Sequence, residues 1–181
     1  MELRDFDAFA AISGPGSFTG LRIGISTVKA FAFANGAGTA AVPTLDALAK
    51  NLDGFDGALI CPLMDARNGN VYSAIYRADG AQLARAELLG AGESAARIKA
   101  VLGDNVGISR IICNGDAAEK YIGYLRGEIS DIPCDVAEGP YLYQNASAAA
   151  LLAYEKAESG ALIPPDKLEP DYMNMGYIKQ I

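Results

Sequence analysis

The chain has 181 residues, 51% apolar and 20% charged, with 22 acidic against 15 basic side chains for a net charge of −7. That composition suits a globular protein with its own core and excludes a disordered one, and the acidic balance argues against direct binding to a nucleic-acid backbone. There is no histidine, which removes Ser–His and Cys–His nucleophile pairs and histidine-containing zinc sites, so no metal site is expected and any catalyst would rest on carboxylates, lysine or tyrosine.

Residues 7–13 (DAFAAIS) form a short apolar run that predicts a buried strand. The loop GPGSFTG at residues 14–20 follows, then an apolar segment with Leu21, Ile25, Val28 and Ala32 at helical spacing. Asn35 and Gly36 make its C-terminal stop. TAAV is a second strand closed by Pro43, and Thr44 is the expected N-cap of a helix over TLDALAKNL. Residues 57–67 and 70–80 read as two strands joined by an Asn68-Gly69 turn, a strong hairpin signal. A third strand follows Asp79-Gly80. Helices are expected at 93–102, 117–126 and 145–159, the last amphipathic, with a strand at 108–113 and a terminal strand over LEPDYMNM. Strand–helix alternation followed by an antiparallel group indicates an α/β or α+β fold.

Cys61, Cys113 and Cys134 are widely spaced, with no CxxC pair. They read as reduced core residues of a cytoplasmic protein. The charged opening MELRDFD resembles no signal peptide, and no apolar run reaches the ~18 residues of a membrane span.

The glycine loop fits neither familiar phosphate motif. No lysine follows Gly20, as a P-loop requires, and Gly14, Gly16 and Gly20 are spaced one residue too long for GxGxxG. It reads as a capped strand-to-helix turn, with Ser17 or Thr19 as the cap. A phosphate site over Gly14, Gly16, Ser17, Thr19 and Gly20 is the alternative, because a helix N-terminus presents unpaired N–H groups to an anion.

GPGSFTGLRIG at residues 14–24 resembles the signature of the TsaB family, also called YeaZ. DARNGNVYSAIY at 65–76 resembles that family's hairpin, carrying Asp65, Arg67, Gly69 and Tyr72. CNGDAAEKY at 113–121 resembles its later turn into a helix, and EPDYM its closing motif, with Met173 and Asn174 where Leu-Arg is usual. Family members open with an Asp-Thr strand, a hairpin and a helix before the glycine loop. Here the loop begins at residue 14, so a chain lacking that opening section is expected.

The resemblance implies an α/β, actin-like or Hsp70-type (ribonuclease-H-like) two-lobed fold with a truncated first lobe. Residues 1–45 would be the remnant of that lobe and 46–181 the second, with the last helix as a candidate to return to the first. It implies a non-catalytic scaffold in forming N6-threonylcarbamoyladenosine at tRNA position 37. The expected partners are a TsaD-like catalytic subunit and a TsaE-like ATPase, with tRNA reached only through the complex, no membrane partner, and a homodimer as a further option. The helix after the loop would be the interface, through Leu21, Ile25, Val28, Phe31 and Phe33.

Two rivals stand beside this reading. One is a glycoprotease-like hydrolase using Ser13 or Ser17 with Lys29 as base. The other is a nucleotide binder taking ATP or ADP at the glycine loop, where the scaffold reading expects no cofactor. For the hairpin, Asp65 and Arg67 pairing with each other or staying solvated is weighed against a ligand role, and one of Tyr72 and Tyr76 is expected to pack in the core.

Overall fold

Short runs of mostly small and apolar residues make Ala8–Gly14 a strand, β1, and Gly38–Pro43 a second, β2. The computed structural model describes residues 2–173. Between the two strands runs helix α1, Phe18–Asn35, capped by the Ser17 hydroxyl, which accepts from the Gly20 N–H at 3.3 Å. It ends at Gly36, whose φ of 64° lets the Ala37 N–H return to the Ala32 carbonyl at 3.0 Å. Helix α2, Thr44–Lys50, comes next. Thr44 does not act as the expected cap. Its buried hydroxyl donates instead to the Pro15 carbonyl at 2.5 Å.

The second half is built on a larger sheet. Strands β3 (Ala58–Asp65), β4 (Asn70–Arg77) and β5 (Gln82–Gly90) form an antiparallel meander. Helix α3 (Ala91–Asp104) leads to β6 (Arg110–Asn114), and helix α4 (Ala118–Glu128) to β7 (Cys134–Val136), both strands parallel to β3. The spatial order is β5-β4-β3-β6-β7. The short, partly charged β7 is not foreseen from sequence, because a three-residue strand carries no readable period. Helix α5, Ala146–Glu158, follows.

The chain divides into two units: residues 1–47 with 146–181, and residues 48–145. Within the first unit, α1 packs on β1, and α5 on both β1 and β2. Ala11, Ile25 and Leu168 form a buried cluster there, flanked by Val28, Ala41 and Ile163. The outer edge of β2 is closed: Thr39 exchanges backbone hydrogen bonds with Ile163, and the Lys156 ammonium donates to the Ala41 carbonyl at 2.7 Å. Among the described residues β1 has no strand partner other than β2.

Two expectations fail here. The terminal strand does not form over residues 168–173, and its remainder lies outside the described residues. The Leu168 N–H turns back to Pro165, and Pro170 has no N–H to offer a ladder. Helix α5 is not amphipathic in the expected sense: it buries Ala148 fully, while Leu151 and Tyr154 are exposed.

The second unit has its own core, in which Leu59, Leu63, Val71 and Ile75 of the meander meet Ile98 of α3, Ile111 of β6 and Leu125 of α4. Cys61, Cys113 and Cys134 are all free and buried, on β3, β6 and β7.

Candidate functional site

The glycine loop places one glycine where only glycine fits. Gly14 has φ 131°, and a Cβ there would run into the Asp171 carbonyl oxygen. The Asp171 N–H donates to the Ser13 carbonyl at 2.7 Å, so the segment after Leu168 is laid directly against the loop. Gly16 is under no such constraint, its nearest neighbour being Leu21 at 3.7 Å from a Cβ. Ser17 is occupied as the cap, and Thr19 and Gly20 lie exposed on the first turn of α1.

Along α1, the residues expected at an interface separate by burial. Leu21 and Ile25 are buried, at 7% and 4% exposure, and Val28 is half-buried. Phe31 and Phe33 are exposed, together with Phe18 and Ile23. Phe31 contacts Phe9 and Phe9 contacts Phe6, with ring centroids 6.0 and 5.9 Å apart and the planes tilted, so one flank of the helix carries an open aromatic row. Residue type alone could not separate these faces, because apolar residues occur nearly all round the helix.

Sequence reasoning missed a second feature of the same helix. Arg22 lies with its guanidinium 3.8 Å from the centre of the Phe18 ring, and its Nε donates to the Tyr172 hydroxyl at 2.8 Å. Phe18 and Tyr172 contact each other, with ring centroids 5.1 Å apart. One turn and two turns further on, Ser26 and Lys29 line a groove of about 530 Å³ whose far wall is Leu168, Glu169, Pro170 and Tyr172. The recurrence of Arg22, Ser26 and Lys29 at helical spacing was the available signal.

A Ser–Lys dyad does not assemble on this helix. Ser17 and Lys29 are about 18 Å apart along the axis at 1.5 Å per residue. The Lys29 ammonium is turned to the Asp166 carbonyl at 3.3 Å, and Ser13 is buried.

In the second unit, two separate sequence motifs converge. Arg67, Asn68 and Gly69 all take positive φ, and the Asn70 N–H donates to the Arg67 carbonyl at 2.9 Å, so the Asn68-Gly69 turn forms as the dipeptide predicts. The Asp65–Arg67 ion pair, one of the readings left open, is replaced by a backbone contact, the Arg67 N–H donating to Asp65 Oδ1 at 2.8 Å. The ion pair of Asp65 is with Lys120 of α4, at 3.0 Å. The Asp65 N–H in turn donates to Asp116 Oδ1 at 2.9 Å. The hydrogen bond from Lys120, then that from the Arg67 N–H, holds the Asp65 carboxyl below the usual carboxylate range. Tyr76 is the buried tyrosine of the strand, while Tyr72 is half-buried.

Behind this cluster Asn114 is wholly buried and donates to the Leu48 and Tyr141 carbonyls at 2.7 and 3.1 Å. Gly115 has φ 95°, and a Cβ there would meet the Leu63 carbonyl oxygen. No group of three or more Cys, Asp or Glu among the described residues is placed to hold a metal ion, and no described helix is long and apolar enough to cross a membrane.

A family model described as TsaD, tRNA N6-adenosine threonylcarbamoyltransferase, matches residues 1–129. The tRNA threonylcarbamoyladenosine biosynthesis protein TsaB of Bacillus subtilis is 42% identical over 77 residues, covering 42% of this chain and 33% of that protein. The protein of the same name from Escherichia coli is 40% identical over 78 residues, covering 42% of this chain and 34% of its own. The match thus spans about a third of the length of these curated relatives. The solved structure of YeaZ from Pseudomonas aeruginosa superposes with a TM-score of 0.75 over 94% of this chain and 77% of its own, at 23% identity. At that identity the likeness establishes the fold, which is the ribonuclease-H-like, actin-like one.

Proposed function

The chain belongs to the TsaD family, tRNA N6-adenosine threonylcarbamoyltransferase, as a member of the TsaB/YeaZ kind, and on that premise we propose that it is a non-catalytic scaffold subunit of tRNA N6-threonylcarbamoyladenosine biosynthesis. Its partner in this reading is the TsaD-type catalytic subunit, with a TsaE-type ATPase joining the assembly and tRNA reached through the complex.

One observation carries the reading. Helix α1 leaves Ile23 and Phe33 63% and 62% exposed, beside Phe18 and Phe31. Large apolar side chains exposed over the whole solvent side of one helix have no use in water and mark a protein–protein surface. Two further features support a subunit that does no chemistry of its own: the chain has no histidine, and the carboxylates around Asp65 are engaged in structural hydrogen bonds.

The test is co-purification of this chain with the TsaD-type subunit of its own organism, scored by size exclusion. Co-elution is expected for the wild type and lost in Ile23→Asp and Phe33→Asp, whose melting temperatures stay near that of the wild type. Separate elution of the wild type, or a complex indifferent to both substitutions, overturns the reading.

A further inference from the structure

We propose that the groove between α1 and residues 168–172 is a carboxylate-binding site, built around Arg22, that takes an aspartate or glutamate side chain of the partner protein. The proposal rests on the scaffold reading above and goes beyond it by naming the partner chemistry and the residue that recognises it.

Arg22 is held ready for such a ligand. The Phe18 ring supports its guanidinium at 3.8 Å, and the Tyr172 hydroxyl occupies its Nε at 2.8 Å. Those two contacts fix the plane of the fork without using its Nη groups. Among the described residues the Nη groups have no hydrogen-bond partner, and neither Arg22 nor Lys29 forms an ion pair. A planar fork with its orientation set in advance loses little rotamer freedom when a carboxylate arrives, which is the situation in which arginine is most selective. Ser26 adds a hydroxyl and Lys29 a second positive charge along the same helix face.

The electrostatic setting favours a carboxylate from another molecule. The chain as a whole has a net charge of −7, yet none of the 18 residues of α1 is acidic. A second copy docking through α1 would set Arg22 against an equally cationic helix. Charge complementarity therefore points to an unlike partner whose matching surface is apolar and acidic. Glu169 on the opposite wall separates carboxylates from phosphates. It opposes the doubled charge that a phosphate dianion carries on one group, and leaves the single charge of each carboxylate free to pair with Arg22. The groove, at about 530 Å³, is larger than a bare anion and has room for a side chain with its stem against Pro170.

Two measurements test this together. In the free chain, the Arg22 Nε–H signal is followed by NMR, assigned by its loss in Arg22→Lys, while glutarate, the neutral control glutaramide, or inorganic phosphate is added. In the complex, affinity for the TsaD-type subunit is measured by calorimetry for wild type, Arg22→Met and Arg22→Lys at low and high salt. The expected result is a saturable shift with glutarate alone, and a loss of affinity of about tenfold or more in both variants that shrinks at high salt.

A glutarate shift with no complex in the wild type supports the carboxylate site and defeats the scaffold reading. A complex that survives Arg22→Met unchanged, with no glutarate shift, overturns the site and leaves the scaffold reading standing. A shift with phosphate equal to that with glutarate overturns it in favour of a phosphoryl ligand. A self-associating wild type that Arg22→Met converts to monomer overturns it in favour of a second copy.

Discussion

The Asp171 N–H donates to the Ser13 carbonyl at 2.7 Å, and the Asp171 carbonyl oxygen fills the space a side chain on the next residue, Gly14, would need. Residues nearly 160 positions apart thus hold the glycine loop in place. The requirement for glycine comes from the distant segment and from the positive φ together.

Gly14→Ala is therefore expected to destabilise the first unit by about 2–3 kcal/mol, through strain at φ 131° and displacement of the Asp171 segment. Gly16→Ala, with open room for its methyl group, should cost less than about 1 kcal/mol. Thermal denaturation of the pair distinguishes a loop pinned by residues 168–172 from one that is merely tight: equal losses would contradict the pinned geometry.

Asn114 holds the Leu48 and Tyr141 carbonyls from a position with no solvent access. Asn114→Ala removes the side-chain donor to both carbonyls and is expected to cost about 1–3 kcal/mol. Asn114→Asp should be worse near neutral pH, because it sets a carboxylate against two carbonyl oxygens. Urea unfolding checks the order; an aspartate variant as stable as wild type would show that the two bonds are not formed.

The Asp65–Lys120 pair makes a pH-dependent contribution of definite sign. Its carboxyl is depressed in the folded chain from an ordinary value of 3.8. The stabilisation is thus fully present above that value and is lost as pH falls through the lower folded one. Both side chains are partly exposed, at 33% and 53%, so solvent screening keeps it small. Lys120→Met should lose that amount at about pH 7 and match the wild type at about pH 2, measured as unfolding free energies. A difference that persists in acid would locate the effect in packing of the lysine stem.

The Cys134 thiol is pushed up, first by its hydrogen bond with the Cys113 thiol and then by burial. Cys61 and Cys113 are buried at 0% exposure beside it in the same sheet. A thiol reagent at neutral pH should find no fast-reacting group in the folded chain and all three after denaturation. Rapid labelling of one thiol under native conditions would mean that β7 opens.

Much of this protein is legible in its residues because it depends on neighbours. The Asn68-Gly69 turn, the Ser17 cap and the Gly36 stop of α1 are satisfied within a few positions of where they are written. Local chemistry is enough to decide them. The helical spacing of Leu21, Ile25 and Ala32 was equally legible, but their facing was not, since Leu21 and Ile25 were expected at an interface and are buried.

What the tertiary structure alone decided are the relationships between distant residues. Asp65 chooses Lys120 over its neighbour Arg67 because α4 brings an ammonium to its free oxygen, while the turn commits the Arg67 backbone to the other. Arg22 meets Tyr172, and α5 joins the unit begun by β1, across more than a hundred intervening residues. No local period encodes those meetings. They arise when separate segments bury their apolar faces together, and that common burial fixes which polar groups find each other and which, like the Nη groups of Arg22, have no partner among the described residues.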